Sequence, residues 1–314
     1  MSGRSDDALA TLLLSNHLTE TVAKPLGPKG FWTLVARVGS PASLLGLDED
    51  ELRRVVGDLE LAGRVSALLE ASTQLAFALE RFESQGFTVL TPFDDTYPVR
   101  LKERLREQAP PVLFAAGPVE LLSREAIGIV GSRNVSESGA AVAEDAARVA
   151  ATAGMAVVSG GARGVDQRSM AGAYQAGGVV VGYLADALER RVRTPDTRRV
   201  IGEGMVCLAT PFKPSAGFSA AGAMARNKLI YAAARTTLVV ATDEGTGGTW
   251  EGAVEALRHR YGHVTVWRGD GEGPGNAALI ERGAHPLESL DELTHVDDSS
   301  VSHDESPAQI SLLP

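Results

Sequence analysis

Three short stretches carry the residue types that can hold an anion. They are Gly131-Ser132-Arg133 in GSRNVSESG (131–139), Ser159-Gly160-Gly161 with Arg163, Gly164 and Asp166 in SGGARGVD (159–166), and Gly247-Gly248-Thr249 in DEGTGGTWEG (243–252). Each follows an apolar run and precedes a helix-like one. Glycine lets main-chain amides approach a guest closely and accepts positive φ. The first turn of a helix offers N–H groups without internal partners and the positive end of its dipole, which suits phosphate. Arg133 and Arg163 add planar guanidinium forks that match phosphate oxygens in pairs. A fourth stretch, AMARNKLIYAAA, places Arg226, Asn227 and Lys228 near a helix start and adds two more cations. Asp166 reads as a helix cap, as a partner for an arginine, or as both. One such loop is plain turn chemistry; three on one edge point to an anion or phosphate site.

The loops need a frame, and the chain supplies one. Strand-like runs AIGIVG, MAVVSG, GVVVGYL, GMVCLAT, TTLVVAT and HVTVW alternate with helix-like runs at about 136–153, 164–177, 220–234 and 247–260. Near-continuous apolar strands between amphipathic helices predict an α/β fold, a doubly wound parallel sheet, Rossmann-like in the broad sense, over 126–296. Ligands bind such sheets outside the carboxyl ends of the strands, so all three loops are expected on one edge. Residues 1–85 read as a small all-helical domain, with PLGPKG (25–30) as a tight turn between helices. Residues 86–125 read as a connector packed on the core, with a strand at FTVL, a turn at Asp94-Asp95, a small helix opened by Tyr97-Pro98, and a strand in APPVLFAAG. Residues 297–314 are polar and are expected to be a disordered tail.

Composition narrows the classes. A net charge of −10 argues against a simple basic DNA-binding protein. The distribution tells more: residues 126–235 hold 13 Lys/Arg against 8 Asp/Glu, and the remainder 17 against 32. No apolar run approaches the roughly 20 residues that span a bilayer, and the N-terminus lacks the basic start and cleavage site of a signal peptide. The single cysteine, Cys207, rules out an internal disulfide and reads as a buried strand thiol in a reducing cytoplasm. No Walker loop and no G-x-G-x-x-G fingerprint is present, so ATP or NAD turnover is not expected, and no cofactor is assigned. His259 and His263 are separated by Gly262 and read as a surface pair, so no metal site is expected. No G-x-S-x-G elbow supports a hydrolase triad. Stacking partners for bases are few: Tyr174, Tyr183, Phe212, Phe218 and Tyr231 are the candidates.

With these residues in view, IGIVGSRNVSESG, VVSGGARGVDQRSMAGAYQAGG and RNKLIYAAA resemble the DNA-processing protein A family, also called Smf, over about residues 15–295. FTVLTPFDDTYPVRLKERLREQAPPVLFAAGPVELL is similar to the family's lead into its core, and the helical N-terminus to its accessory domain. The resemblance implies a cytoplasmic single-stranded DNA-binding protein of transformation and recombination. Such proteins act as dimers, are not enzymes, and help load the recombinase RecA. It implies that Ser132 and Arg133 form one phosphate loop, that Ser159, Gly160, Gly161, Arg163, Gly164 and Asp166 form a second, and that Arg226, Asn227 and Lys228 match the family's R-N-R stretch. DQRSMAG lacks the family's histidine, CLATPFKP replaces its serine-glutamate-aromatic-proline, and its winged helix has no counterpart after Asp297. GTGGTWEG and MARNK are also similar to motifs of LONELY GUY-type nucleotide phosphoribohydrolases. There the catalytic glutamate would fall on Gly252, with Glu251 one place early and about 100° round the helix. Three readings follow: a single-stranded nucleic-acid binder; a nucleotide sensor or nucleoside-monophosphate hydrolase using Glu251 and Arg226; and an interaction module that keeps only the fold.

Overall fold

The computed structural model describes residues 3–16, 18, 19 and 23–296. The tail expected to be disordered, 297–314, lies outside the described residues. Five helices open the chain: α1 (Asp6–Ser15), α2 (Pro28–Val38), α3 (Glu49–Val56), α4 (Leu59–Leu69) and α5 (Ser72–Ser84). The turn expected over 25–30 ends at Gly27, because Pro28 starts α2, where its missing N–H costs nothing. The long helical run after Leu47 divides where its caps dictate. Asp48 and Glu51 form a reciprocal capping box on α3, Gly57 closes that helix in the left-handed region (φ 69), and Asp58 caps α4. Leu14, Phe31, Leu34, Leu52, Val65 and Leu68 close a separate small core among these helices.

A nine-stranded sheet follows among the described residues. Its strands are β1 (Phe87–Leu90), β2 (Leu113–Ala116), β3 (Ala126–Val130), β4 (Ala156–Ser159), β5 (Val180–Tyr183), β6 (Val206–Thr210), β7 (Thr236–Val239), β8 (His263–Trp267) and β9 (His285–Leu287). Spatial order is β1-β2-β6-β5-β4-β3-β7-β8-β9. Strands β3 to β9 pair in parallel, and β1 and β2 add antiparallel to the β6 edge. The 86–125 stretch therefore contributes to the sheet itself. Helices α6 (Val99–Leu105), α7 (Glu137–Thr152), α8 (Val165–Gln175), α9 (Leu188–Val192), α10 (Pro195–Gly202), α11 (Ala220–Ala233), α12 (Gly247–His259) and α13 (Asn276–Glu281) complete the fold.

Alternate strand residues serve two cores, the arrangement expected when both faces of a sheet are covered. Ile127, Ile129, Val157, Val180 and Leu238 pack with α7 and α8 through Ala143, Ala147, Val165 and Ala173. Ala126, Val130, Val158, Val181 and Val239 pack on the opposite face with Leu229, Ile230, Ala253 and Ala256 of α11 and α12. Cys207 is fully buried in β6, and burial pushes its thiol up to about 12. The chain order reverses between β3 and β7, so the crevice of the topological switch point opens between their carboxyl ends.

One buried amide fixes the far wall of that crevice. Asn276 is fully buried; its Nδ2 donates to the carbonyls of Val240 and Trp267, both at 2.9 Å, and its Oδ1 accepts from Thr242 N at 3.1 Å. It thereby ties the exits of β7 and β8 together and sets the start of the third loop. Asn276→Ala would remove the partner of two buried backbone groups and one part-buried one, and is expected to cost roughly 3 kcal/mol, read from urea denaturation. Cys207, protonated and covered, is expected to react with a thiol reagent only as fast as the protein unfolds. Rapid labelling under native conditions would contradict its placement.

Candidate functional site

The loops after β3, β4 and β7 meet on one edge, as their parallel strands require. Two cavities lie there. The first, about 410 Å³, is walled by Gly131, Ser132, Arg133 and Asn134 of the first loop, by Asn227, Ile230 and Tyr231 of α11, and by Thr242, Asp243 and Thr246 to Thr249 of the third loop. The second, about 430 Å³, is lined by Arg133, Gly160, Gly161, Arg163, Asp186, Arg191 and Phe218. Arg133, Ala162, Phe218 and Arg226 border both, so the two form one trench. It crosses the ends of β7, β3, β4 and β5, three inter-strand steps of about 4.8 Å each.

Two buried residues of opposite charge form the trench floor. Arg226 and Asp166 are only 4% and 6% exposed. Arg226 Nη1 donates to Tyr183 O at 2.8 Å, and Asp166 Oδ2 accepts from Ala162 N at 3.3 Å. Burial pushes the Asp166 carboxyl up, opposed by the Arg226 charge; burial pulls Arg226 down, opposed by Asp166. Arg226 Nε and the Tyr231 hydroxyl are buried and have no hydrogen-bond partner among the described residues. Burial and the nearby carboxylates Asp166 and Glu255 push Tyr231 up, so its hydroxyl stays protonated and can donate.

Above this floor sit exposed cations and one ring. The Arg133 guanidinium lies over the Phe218 ring, 5.3 Å from its centroid, and Phe218 is 55% exposed. Arg163 Nη2 donates to Asn134 Oδ1 at 2.7 Å, which joins the second loop to the first and keeps Arg163 beside Arg133. Arg191 Nη2 approaches Gly161 O at 3.4 Å. Arg191 is a site residue that sequence reasoning missed. Its signal, the basic run ERRVR, was present but carried no glycine loop to draw attention.

The structure redistributes several assigned residues. Ser159 does not reach the trench. It is the last residue of β4, fully buried, with Oγ donating to Ile129 O at 2.6 Å. Lys228 lies on the other side of α11, about 200° from Arg226, where its ammonium meets Gln108 and stands 3.8 Å from Glu255. Arg226 and Asp166 form the floor of the site, and the guanidinium Nε is buried there without a partner. Gly164 (φ 84) is a packing residue: a Cβ there would stand 2.3 Å from Ser132 O. Gly160 gives way to Arg226 in the same manner, since a Cβ would meet Nη1 at 1.5 Å. Glu251 is exposed and lines neither cavity, and a Cβ on Gly252 would already touch Asn227 at 3.1 Å.

Helix N-termini also differ from expectation. Ser136 caps α7 by accepting from Gly139 N, and Val165 N at the start of α8 donates to Ser132 O at 3.3 Å. The N–H of Ser132 is likewise spent, on Ala241 O at 2.8 Å. The cap of α12, Thr246, makes no side-chain hydrogen bond to the first turn, and neither does Gly164 at α8, but at α12 the loop glycines line the trench. Gly247 (φ 90), Gly248 and Thr249 face the first cavity from there. Of the five candidate aromatics, Tyr183 and Tyr231 are buried, Tyr174 bonds Glu203 and Arg199, and Phe212 is half-buried outside the trench. Phe218 alone borders it exposed.

Fold and site together define a Rossmann-like protein with a basic, polyanion-sized trench at its switch point. The chain belongs to the DNA recombination-mediator protein A family, which it matches over residues 88–296. It is 30% identical over 233 residues to a DNA processing protein DprA of Mycobacterium tuberculosis, an alignment covering 67% of this chain and 59% of that one. The chain thus spans about three fifths of that relative's length. Among solved structures it resembles DprA from Streptococcus pneumoniae, with TM-score 0.70, 21% identity, and coverage of 94% of this chain and 98% of that one. It also resembles DprA from Helicobacter pylori, whose structure was described for its single-stranded DNA binding mode, with TM-score 0.55, 20% identity, and coverage of 67% and 94%. No helix among the described residues is long and apolar enough to cross a membrane.

Gly164 separates packing from ligand contact. Gly164→Ala is expected to destabilise the unliganded protein by roughly 2–4 kcal/mol, through its left-handed backbone and the overlap with Ser132 O. A variant of unchanged stability that lost only binding would return Gly164 to the ligand.

Proposed function

We propose that the trench binds single-stranded DNA, and that the chain acts in DNA uptake or recombination as a DNA-processing protein. The observation that carries this is the Arg133–Phe218 stack beside Arg163. A ring with an open face accepts any base, and guanidinium groups flanking it accept the phosphates on either side. Arg191 adds a further cation, and the uncapped start of α12 turns N–H groups toward the first cavity. The family's description as a recombination mediator and the single-stranded DNA binding of the Helicobacter relative support the reading. On this proposal the protein works as a homodimer that presents its strand to a RecA-type recombinase, and it binds without turning over its ligand. The exposed position of Glu251 and the tight packing of Gly252 on Asn227 support the last point, because the phosphoribohydrolase motif needs its glutamate in the cavity.

A mononucleotide is a second guest worth testing, because the first cavity, about 410 Å³, is lined by Arg226 and Tyr231, whose Nε and hydroxyl are buried without partners. The deciding measurement is the anisotropy of a fluorescent oligothymidine at two salt concentrations, with AMP as competitor. Affinity is expected to fall steeply with salt. Arg133→Ala and Arg163→Ala are each expected to weaken binding about tenfold whatever the sequence. Phe218→Ala is expected to cost about 1–3 kcal/mol. Unchanged affinity in both arginine variants would reject the site. Displacement of the oligonucleotide by micromolar AMP would favour the mononucleotide.

A further inference from the structure

Beyond the trench, on the β5–β6 side, lies a run of arginines that the site as described does not use. The segment LERRVRTPDTRR (188–199) holds Arg190, Arg191, Arg193, Arg198 and Arg199 against Glu189 and Asp196. Arg191 lines the second cavity, so the segment starts at the trench wall. Arg190, one residue away, lies on α9, and Arg198 is exposed on α10. Neither side chain has a hydrogen bond or ion pair among the described residues. Arg193 and Arg199 pair with Glu189 and Glu203 one helical turn away, with the arginine side chains 67% and 60% exposed. Pairs that open to solvent hold little free energy and yield readily to a stronger anion.

The segment is held in place. Ala187 takes the left-handed region (φ 48), which turns the chain sharply into α9. Ala187 N donates to Ala216 O at 2.8 Å and Glu189 N to Pro214 O at 3.1 Å, so α9 is tied to the loop that carries Phe218. Leu188 is fully buried beneath it, and Thr194 Oγ1 donates to Arg191 O at 3.0 Å at the α9–α10 corner. Exposed Lys213, next to Pro214, lies on that same tethered loop. A chain of net charge −10 thus places unpaired cations on an anchored ridge that begins where the guanidinium-lined cavity ends.

We propose that α9 and α10 form a second binding segment, which takes the phosphates of a single strand as it leaves the trench. The proposal rests on the reading that the trench binds single-stranded nucleic acid. It assigns Arg190 and Arg198 to the backbone of flanking nucleotides, with no role in base contact. The site is then longer than the loop cluster alone, and its added length is purely electrostatic.

The test compares two oligonucleotides, tetrathymidylate, which fills the trench, and a long oligothymidine, each titrated over a range of salt. For the unaltered protein the long strand is expected to bind with the steeper salt dependence. In the double variant Arg190→Ala/Arg198→Ala, that slope is expected to fall by about 1.4, or about 0.7 for each phosphate of the single strand left without its cation. Affinity for the long strand should drop roughly tenfold at low salt, and tetrathymidylate should bind as before. Arg190→Lys/Arg198→Lys should restore most of the slope, since phosphate binding here needs charge. Thermal melting of the variants reports whether the fold is kept. Equal losses for short and long strands, or none for either, overturn the ridge and leave the trench standing. Failure of the unaltered protein to bind either strand overturns the trench, and the ridge with it.

Discussion

Everything at the strand ends depends on two opposite charges that are almost wholly removed from water. Arg226 enters from α11 and donates to Tyr183 O, Asp166 enters from α8 and accepts from the amide of Ala162, and the charge of each opposes the effect of burial on the other. Taking two charges out of water is costly, and their mutual attraction offsets that cost only in good geometry. Removing either would leave the other buried without its opposing charge, so the two constrain their surroundings. The second loop must pass Arg226 without a side chain, which Gly160 allows. The pair also neutralises itself, which leaves Arg133, Arg163 and Arg191 as the cations that face outward.

The topology explains why this floor lies where it does. Reversal of strand order between β3 and β7 splits the helices to opposite faces and opens a gap at the strand ends. Asn276 fixes one side of the gap by joining β7 to β8, and the contact of Gly164 with Ser132 O fixes the other by locking the first loop to the second. Both constraints act on the backbone. The arginine and phenylalanine side chains above are free to vary without disturbing them.

The frame was legible because its signals are local. Each parallel strand from β3 to β8 is a short, mostly apolar run, and α7, α8, α11 and α12 follow at the expected places. β9 escaped notice: three residues containing Pro286 do not read as a strand, and only pairing with β8 makes them one. α9 and α10 also escaped, because a polar, arginine-rich stretch shows no apolar stripe until the sheet gives it a surface. Within the site, residue types were legible and directions were not. Ser159 looks like a loop hydroxyl, yet its place at the end of β4 turns it inward to Ile129 O. Arg226 and Lys228 stand two apart in sequence and point to different parts of the molecule. Three glycine loops predicted three open helix starts. Only tertiary contacts reveal that the starts of α7 and α8 are already occupied.

The uneven charge has a kinetic consequence. Outside residues 126–235 acidic residues outnumber basic ones by 32 to 17, whereas the trench concentrates guanidinium groups between low-dielectric walls. A polyanion diffusing toward such a surface is turned away from most approaches and funnelled toward one mouth. On the proposed reading, acidity over most of the protein restricts the docking orientations open to a polyanion, and the field at the mouth speeds its capture.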